Sequence, residues 1–255
     1  MKLPDSNIKT ESYGVLGTTS FGISEENIGI LLNILRTKIY KNPVLAVCRE
    51  ISCNSRDAHR EVHDDPTNPT TKDTPIEICL PNEVEPTLVF QDFGPGIAPE
   101  RKDIFVSFGA STKRVDNVQT GGFGLGCKTP FAYGQSFTVD TVADAPAFCY
   151  EKPHMRYVYN AYIDETEVGA MDLMRMEPTD DPKGTAIIIP AKASDFERIA
   201  QTVIECTKHW AVRPKLLGGD PDFRPEYPKM VELYRGTNWV MYTEGVTYPC
   251  ASRCT

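Results

Sequence analysis

The sequence predicts a two-layer α/β sandwich, with helices on one face of a mixed, mostly antiparallel sheet. Two helix-length stretches with apolar residues at spacings of three and four come first, followed by a series of short β-rich runs between turn residues and one late helical stretch. Hydrophobic residues make up 40% of the 255, and charged residues 24%. That is enough apolar surface for a core and excludes disorder of the chain as a whole.

The elements follow in order. Residues 1–23 read as extended and irregular, after which Ser24 caps a helix from about Glu25 to Ile39 with Ile28, Leu31, Leu32 and Leu35 on one face. Asn42-Pro43 opens a second helix that continues to about Val62, with proline at the first helical position. The turn-rich loop 64–75 separates it from strand-like runs at 76–80 and 87–91. A polar, glycine-containing stretch spans 92–126, and a short helix starts at about Thr129. Runs at 136–142, 147–150, 156–163 and 185–190 read as further strands. Ser194 and Glu197 have capping-box spacing, opening a helix with Phe196, Ile199, Val203 and Trp210 on one face. Beyond Pro214 the chain is proline-rich, with strand-like runs at 239–242 and 246–248. Residues 1–215 are therefore read as one domain and 216–255 as an extension with a short hairpin.

The formal net charge of -8 argues against nucleic acid as a partner, because an acidic surface repels phosphate backbones. Eight cysteines without a Cys-x-x-Cys pair suggest free thiols in a reducing cytoplasm. No run approaches the length of a membrane span, and the N-terminus has no apolar signal core.

At roughly 100° per residue the helix 43–62 divides into three bands. Val44, Cys48, Ile51, Ser55, Ala58 and Val62 form a stripe suited to packing on a sheet; Arg49, Arg56 and Arg60 form a solvated band; Glu50, Asn54 and Asp57 lie between. A carboxylate one turn from a carboxamide suits two tasks. Asn54 can offer a carbonyl oxygen to Mg²⁺, a hard cation, and Glu50 can accept a proton from an attacking water. Alone, the triplet reads more simply as a polar helix edge. His59 and His63 are also four apart, but at the helix end they read as solvated rather than as a metal pair.

Two glycine-rich segments follow. Asp92-Phe93-Gly94-Pro95-Gly96 places a carboxylate at the lip of a tight bend, where it could accept an exocyclic amine; an ordinary Asp/Gly turn has the same composition. Gly121, Gly122, Phe123, Gly124, Leu125 and Gly126 lead to Cys127-Lys128, a nest of backbone N–H groups with a lysine at a helix start, suited to phosphate. The spacing is neither that of a Walker A loop nor that of a dinucleotide fingerprint, and a flexible hinge is the competing reading. Between them the stretch of about 97–121 is polar and offers Ser111, Thr112 and Lys113, as a lid over a nucleotide would. Thr185, entering the apolar strand after Gly184, could share the base contact with Asp92.

Glu50-x-x-x-Asn54-x-x-Asp57-Ala58, Asp92-x-Gly94-x-Gly96, Gly122-x-Gly124-x-Gly126 and Gly184-Thr185, in this order, resemble the Bergerat ATPase superfamily of DNA gyrase, heat-shock chaperones, histidine kinases and MutL. The segments VLAVCREISCNSRDAH, QDFGPGI and TGGFGLGCKTPFAYGQSF are similar to the N-terminal part of the phage rIIA lysis-inhibition proteins. The resemblance implies ATP and Mg²⁺, with Glu50 as general base, Asn54 as Mg²⁺ ligand, Asp57 behind it, Asp92 and Thr185 as adenine anchor, and the 121–128 loop with Lys128 on the phosphates. It further implies slow hydrolysis or nucleotide-gated binding, ATP-driven homodimerisation through the N-terminal segment, and a host or phage protein partner in the host cytoplasm. Two positions depart from the pattern. Cys53 stands where many relatives carry Asp, and the residues after 215 are too few for the transducer domain that supplies a γ-phosphate lysine, so 216–255 would be its start or remnant.

Overall fold

The computed structural model describes residues 28–34, 38–63, 75–101, 126–147, 152–165, 167–220, 226–237 and 240–244. Helix α1 (Ile28–Ile34) and the 21-residue α2 (Pro43–His63) precede strands β1 (Glu77–Leu80) and β2 (Thr87–Asp92). A 3-10 turn, Gly126–Lys128, leads into the short α3 (Pro130–Tyr133), then β3 (Ser136–Asp144), β4 (His154–Ile163), β5 (Gly169–Thr179) and β6 (Gly184–Pro190). Helix α4 (Phe196–Thr207) is followed by β7 (Lys215–Gly218) and by β8 (Met230–Arg235) and β9 (Val240–Glu244).

Seven strands form one mixed sheet in the order β5-β4-β3-β6-β2-β1-β7, and β8 and β9 form a separate two-stranded sheet. Within the larger sheet every neighbouring pair is antiparallel except β1 and β7, which run parallel. This is a mixed α/β architecture, mostly antiparallel as expected, and compatible with a two-layer sandwich. Alternation sets its core. β2 buries Leu88, Phe90 and Asp92, and β4 buries Met155, Tyr157, Tyr159 and Ala161. Val47, Cys48 and Ile51 of α2 and Ile199 and Val203 of α4 join the same apolar cluster. Each large side chain so buried contributes about 1.5–3 kcal/mol.

Helix α2 begins where the proline predicts. Asn42 caps it, its Oδ1 accepting the Leu45 N–H at 3.2 Å, and Pro43 occupies the first position. Two residues assigned to the sheet-facing and solvated bands fall elsewhere: Val62 is 42% exposed, and Arg56 is half-buried with its guanidinium 4.3 Å above the Trp210 ring. Trp210 lies beyond the end of α4, so it serves as a platform for α2 and not as part of the α4 face. The Ser194 capping box does not form. Ser194 sits in the 3-10 turn Ala193–Asp195, α4 starts at Phe196 without a side-chain cap, and the Asp195 carboxylate instead accepts the Tyr133 hydroxyl at 3.0 Å.

Strand β5 has no counterpart in the sequence reading. Its residues are rich in methionine, with few β-branched side chains, and its alternation is broken where the register shifts opposite Val158 and Tyr159. Pairing with β4 decides its conformation, at the sheet edge, where Leu173, Met174 and Met176 remain exposed. Strands β7 and β8 were likewise not expected, β7 being recruited by parallel pairing to β1. Ser24 and residues 148–150 and 246–248 lie outside the described residues. Among the described residues no helix is long and apolar enough to cross a membrane.

Candidate functional site

The site is built along one edge of α2. Glu50 and Asn54 stand one turn apart, and the backbone of Gly126 lies against both. A Cβ added at Gly126 would come within 3.1 Å of Glu50 Oε2 and 3.2 Å of Asn54 Nδ2, closer than ordinary packing allows. The turn at Gly126 is closed by Thr129, whose N–H and Oγ1 both donate to the Gly126 carbonyl, at 3.2 and 2.7 Å. Lys128, at the end of this turn, is only 4% exposed. The end of the second glycine segment is thus brought onto the carboxylate–carboxamide pair. Ser111, Thr112, Lys113, Gly121, Gly122, Phe123, Gly124 and Leu125 lie outside the described residues.

Glu50 has a partner that the band pattern did not anticipate. Its Oε1 accepts from Arg49 Nη2 at 2.8 Å and from Arg49 Nε at 3.2 Å. Asp57 is buried, with Arg56 Nη2 at 3.9 Å from its Oδ1. Cys53, beside Asn54, is partly buried and its thiol is pushed up by burial, so it is a neutral neighbour of the carboxamide and not a carboxylate. Cys48, Cys53, Cys79, Cys127 and Cys206 are free thiols.

The second cluster lies where β2 ends. Asp92 is 4% exposed; its Oδ1 accepts the Gly94 N–H at 2.9 Å, and its carboxylate also receives the backbone N–H of Thr185. Burial outweighs both bonds and pushes its pKa up to about 7. Thr185 is the cross-strand partner of Asp92, and Thr141 is the cross-strand partner of Thr185, so three buried polar residues run across β2, β6 and β3. Asp92 and Thr185 therefore adjoin, as expected. Thr141 was missed. Alternation from Phe137 and Val139 turns position 141 inward, and a threonine at an inward position is the signal that could have found it.

The loop after Asp92 is pinned to α2. A Cβ on Gly94 would stand 2.5 Å from the Ala58 carbonyl oxygen, Gly96 adopts φ +75°, and the Phe93 N–H donates to His59 Nδ1 at 3.3 Å. His59, expected in solvent, is buried, because this loop covers it with an edge-on Phe93 ring 6.0 Å away. From Glu50 to Ala58 the helix rises about 12 Å, so one rigid element carries both clusters.

Chemically, one end offers a buried carboxylate and a hydroxyl for a hydrogen-bond donor. The other offers a carboxamide, a carboxylate and a close-lying glycine backbone, with Lys128 buried at the end of the same turn. Among the described residues no group of three or more His, Cys, Asp or Glu could hold a metal. A hard cation at Asn54 would therefore draw its remaining oxygens from water and from its ligand, as Mg²⁺ does with phosphates. No family model matches the chain, and no curated protein matches it.

Proposed function

We propose that the chain is a Bergerat-type, Mg²⁺-dependent ATP-binding protein that hydrolyses ATP slowly. The observation that supports this reading best is the seating of Gly126 against Glu50 and Asn54 on the same helix whose far half holds the Asp92 loop. Asp92 would accept the exocyclic amine of adenine, with Thr185 beside it. Lys128 and the backbone around Gly126 would face the phosphates. The Asn54 carbonyl oxygen fits a hard cation, and Mg²⁺ would supply charge neutralisation on the phosphates when bound. Glu50 would accept the proton of the attacking water. Likeness to the phage rIIA proteins extends the proposal to lysis timing or antagonism of host defence in the host cytoplasm, with ATP-dependent homodimerisation.

A second reading, nucleotide-gated binding of a host or phage protein without useful turnover, is favoured by one contact. Arg49 already occupies one Glu50 oxygen, Oε1, at 2.8 Å, leaving only Oε2, on the Gly126 side, for a water. Two measurements separate the readings. Calorimetry with MgATP and a non-hydrolysable analogue is expected to show saturable binding of both; no binding at millimolar nucleotide to folded protein overturns both readings. Phosphate release is expected to fall in Glu50→Ala. Equal rates in wild type and variant remove Glu50 as the base, and absence of release in wild type selects the second reading.

A further inference from the structure

The hydroxyl of Thr141 is fully buried and meets three groups from three segments: the Ile97 N–H at 2.8 Å, the Gly184 carbonyl oxygen at 3.1 Å and the Thr185 hydroxyl at 2.9 Å. A threonine hydroxyl has one hydrogen to donate and two lone pairs. The Ile97 N–H can only donate, so it takes one lone pair. The Gly184 carbonyl can only accept, so it takes the hydrogen. One assignment satisfies the third contact: Thr185 donates its hydroxyl hydrogen to the second lone pair of Thr141. Thr185 is then left with accepting capacity alone, beside the Asp92 carboxylate across the strand pair.

We infer that Thr141 is a specificity-determining positioning residue: it fixes Thr185 as an acceptor, so that the Asp92–Thr185 pair admits a ligand edge bearing hydrogen-bond donors and rejects one bearing a carbonyl. For a purine nucleotide this selects the 6-amino over the 6-oxo base. The inference rests on the nucleotide-binding reading above. Thr141 touches no ligand in this account and acts through Thr185. An unfixed Thr185 hydroxyl could turn its hydrogen outward and satisfy a carbonyl, which is the discrimination that Thr141 removes. The neighbouring carboxylate acts in the same sense whenever it is ionised, so the two oxygens reinforce each other only while Thr185 is held.

The test compares ATP with inosine triphosphate, its 6-oxo counterpart, by calorimetry with Mg²⁺ on the full chain at pH 8. Wild type is expected to prefer ATP. Thr141→Val is expected to reduce the ratio of the two affinities about tenfold, the worth of one hydrogen bond, and Thr141→Ser to restore it. A structural role alone would weaken both nucleotides equally and leave the ratio unchanged. If Thr141→Val does not fold, Thr185→Val decides, because deleting the acceptor itself must lower the ratio by a similar factor. An unchanged ratio in folded Thr141→Val, or in Thr185→Val, overturns the inference while leaving ATP binding intact. Failure of wild type to bind either nucleotide overturns the nucleotide-binding reading and this inference with it.

Discussion

Asp92→Asn separates what the site costs the fold from what it does. The Asp92 pKa is raised from 3.8 to about 7 by burial. Between these values the folded chain keeps a proton that the unfolded chain has released, so stability falls as pH rises through the window and is fully present only below the unfolded value. Roughly three pH units at about 1.4 kcal/mol each give a cost on the order of 4 kcal/mol at pH 8, of which about 3 kcal/mol develops between pH 5 and pH 8. Asparagine carries no charge and keeps an oxygen for the Gly94 N–H, although it loses the bond from Thr185 at a cost of about 1 kcal/mol; the part of that bond that depends on the Asp92 charge is already contained in the raised pKa. Urea unfolding of both proteins at pH 5 and pH 8 reads the difference. Wild type should lose about 3 kcal/mol more than the variant over that interval. Stability that changes in parallel in the two proteins would refute the reasoning, because the Asp92 charge would then carry no folding cost. The same variant should also lose ATP binding, since the acceptor for the amine would be gone.

Three further outcomes are expected. Gly126→Ala places a methyl group 3.1 Å from Glu50 Oε2 and 3.2 Å from Asn54 Nδ2; calorimetry should show MgATP affinity falling about tenfold, while urea unfolding changes by no more than about 1 kcal/mol. Arg49→Ala frees the Glu50 oxygen now held at 2.8 Å, so phosphate release per bound ATP should rise, and a fall would show that Arg49 assists turnover. Phe90→Ala empties a fully buried position in the sheet core and should cost about 3–5 kcal/mol in denaturant unfolding, well above any surface substitution on α2.

The parts of the fold that were legible in the sequence are those whose local signals agree with their packing. Asn42-Pro43 marks the start of α2, and the runs at 76–80, 87–91 and 185–190 coincide with strands that bury alternate residues. β5 was not legible because its methionine-rich residues carry no strand preference and a register shift breaks its period; the pairing energy comes from β4. The Asp92, Glu50, Asn54 and Gly126 clusters could be drawn from residue type and spacing. What spacing could not show is how side chains from distant segments meet. The Arg56–Trp210 stack joins residues on α2 and beyond α4, and the Thr141 network joins β3 with β6 and the loop after β2. His59 reads as a helix-end histidine until the Phe93 loop is placed over it.

The central claim, that one helix edge holds both ends of a single nucleotide, is tested most directly by a crystal structure of the full chain with Mg²⁺ and a non-hydrolysable ATP analogue. The account predicts the adenine amine on the Asp92 carboxylate and the cation on the Asn54 carbonyl oxygen in the same molecule. An analogue bound away from α2, or one whose base and phosphates do not bridge these two clusters, would contradict it.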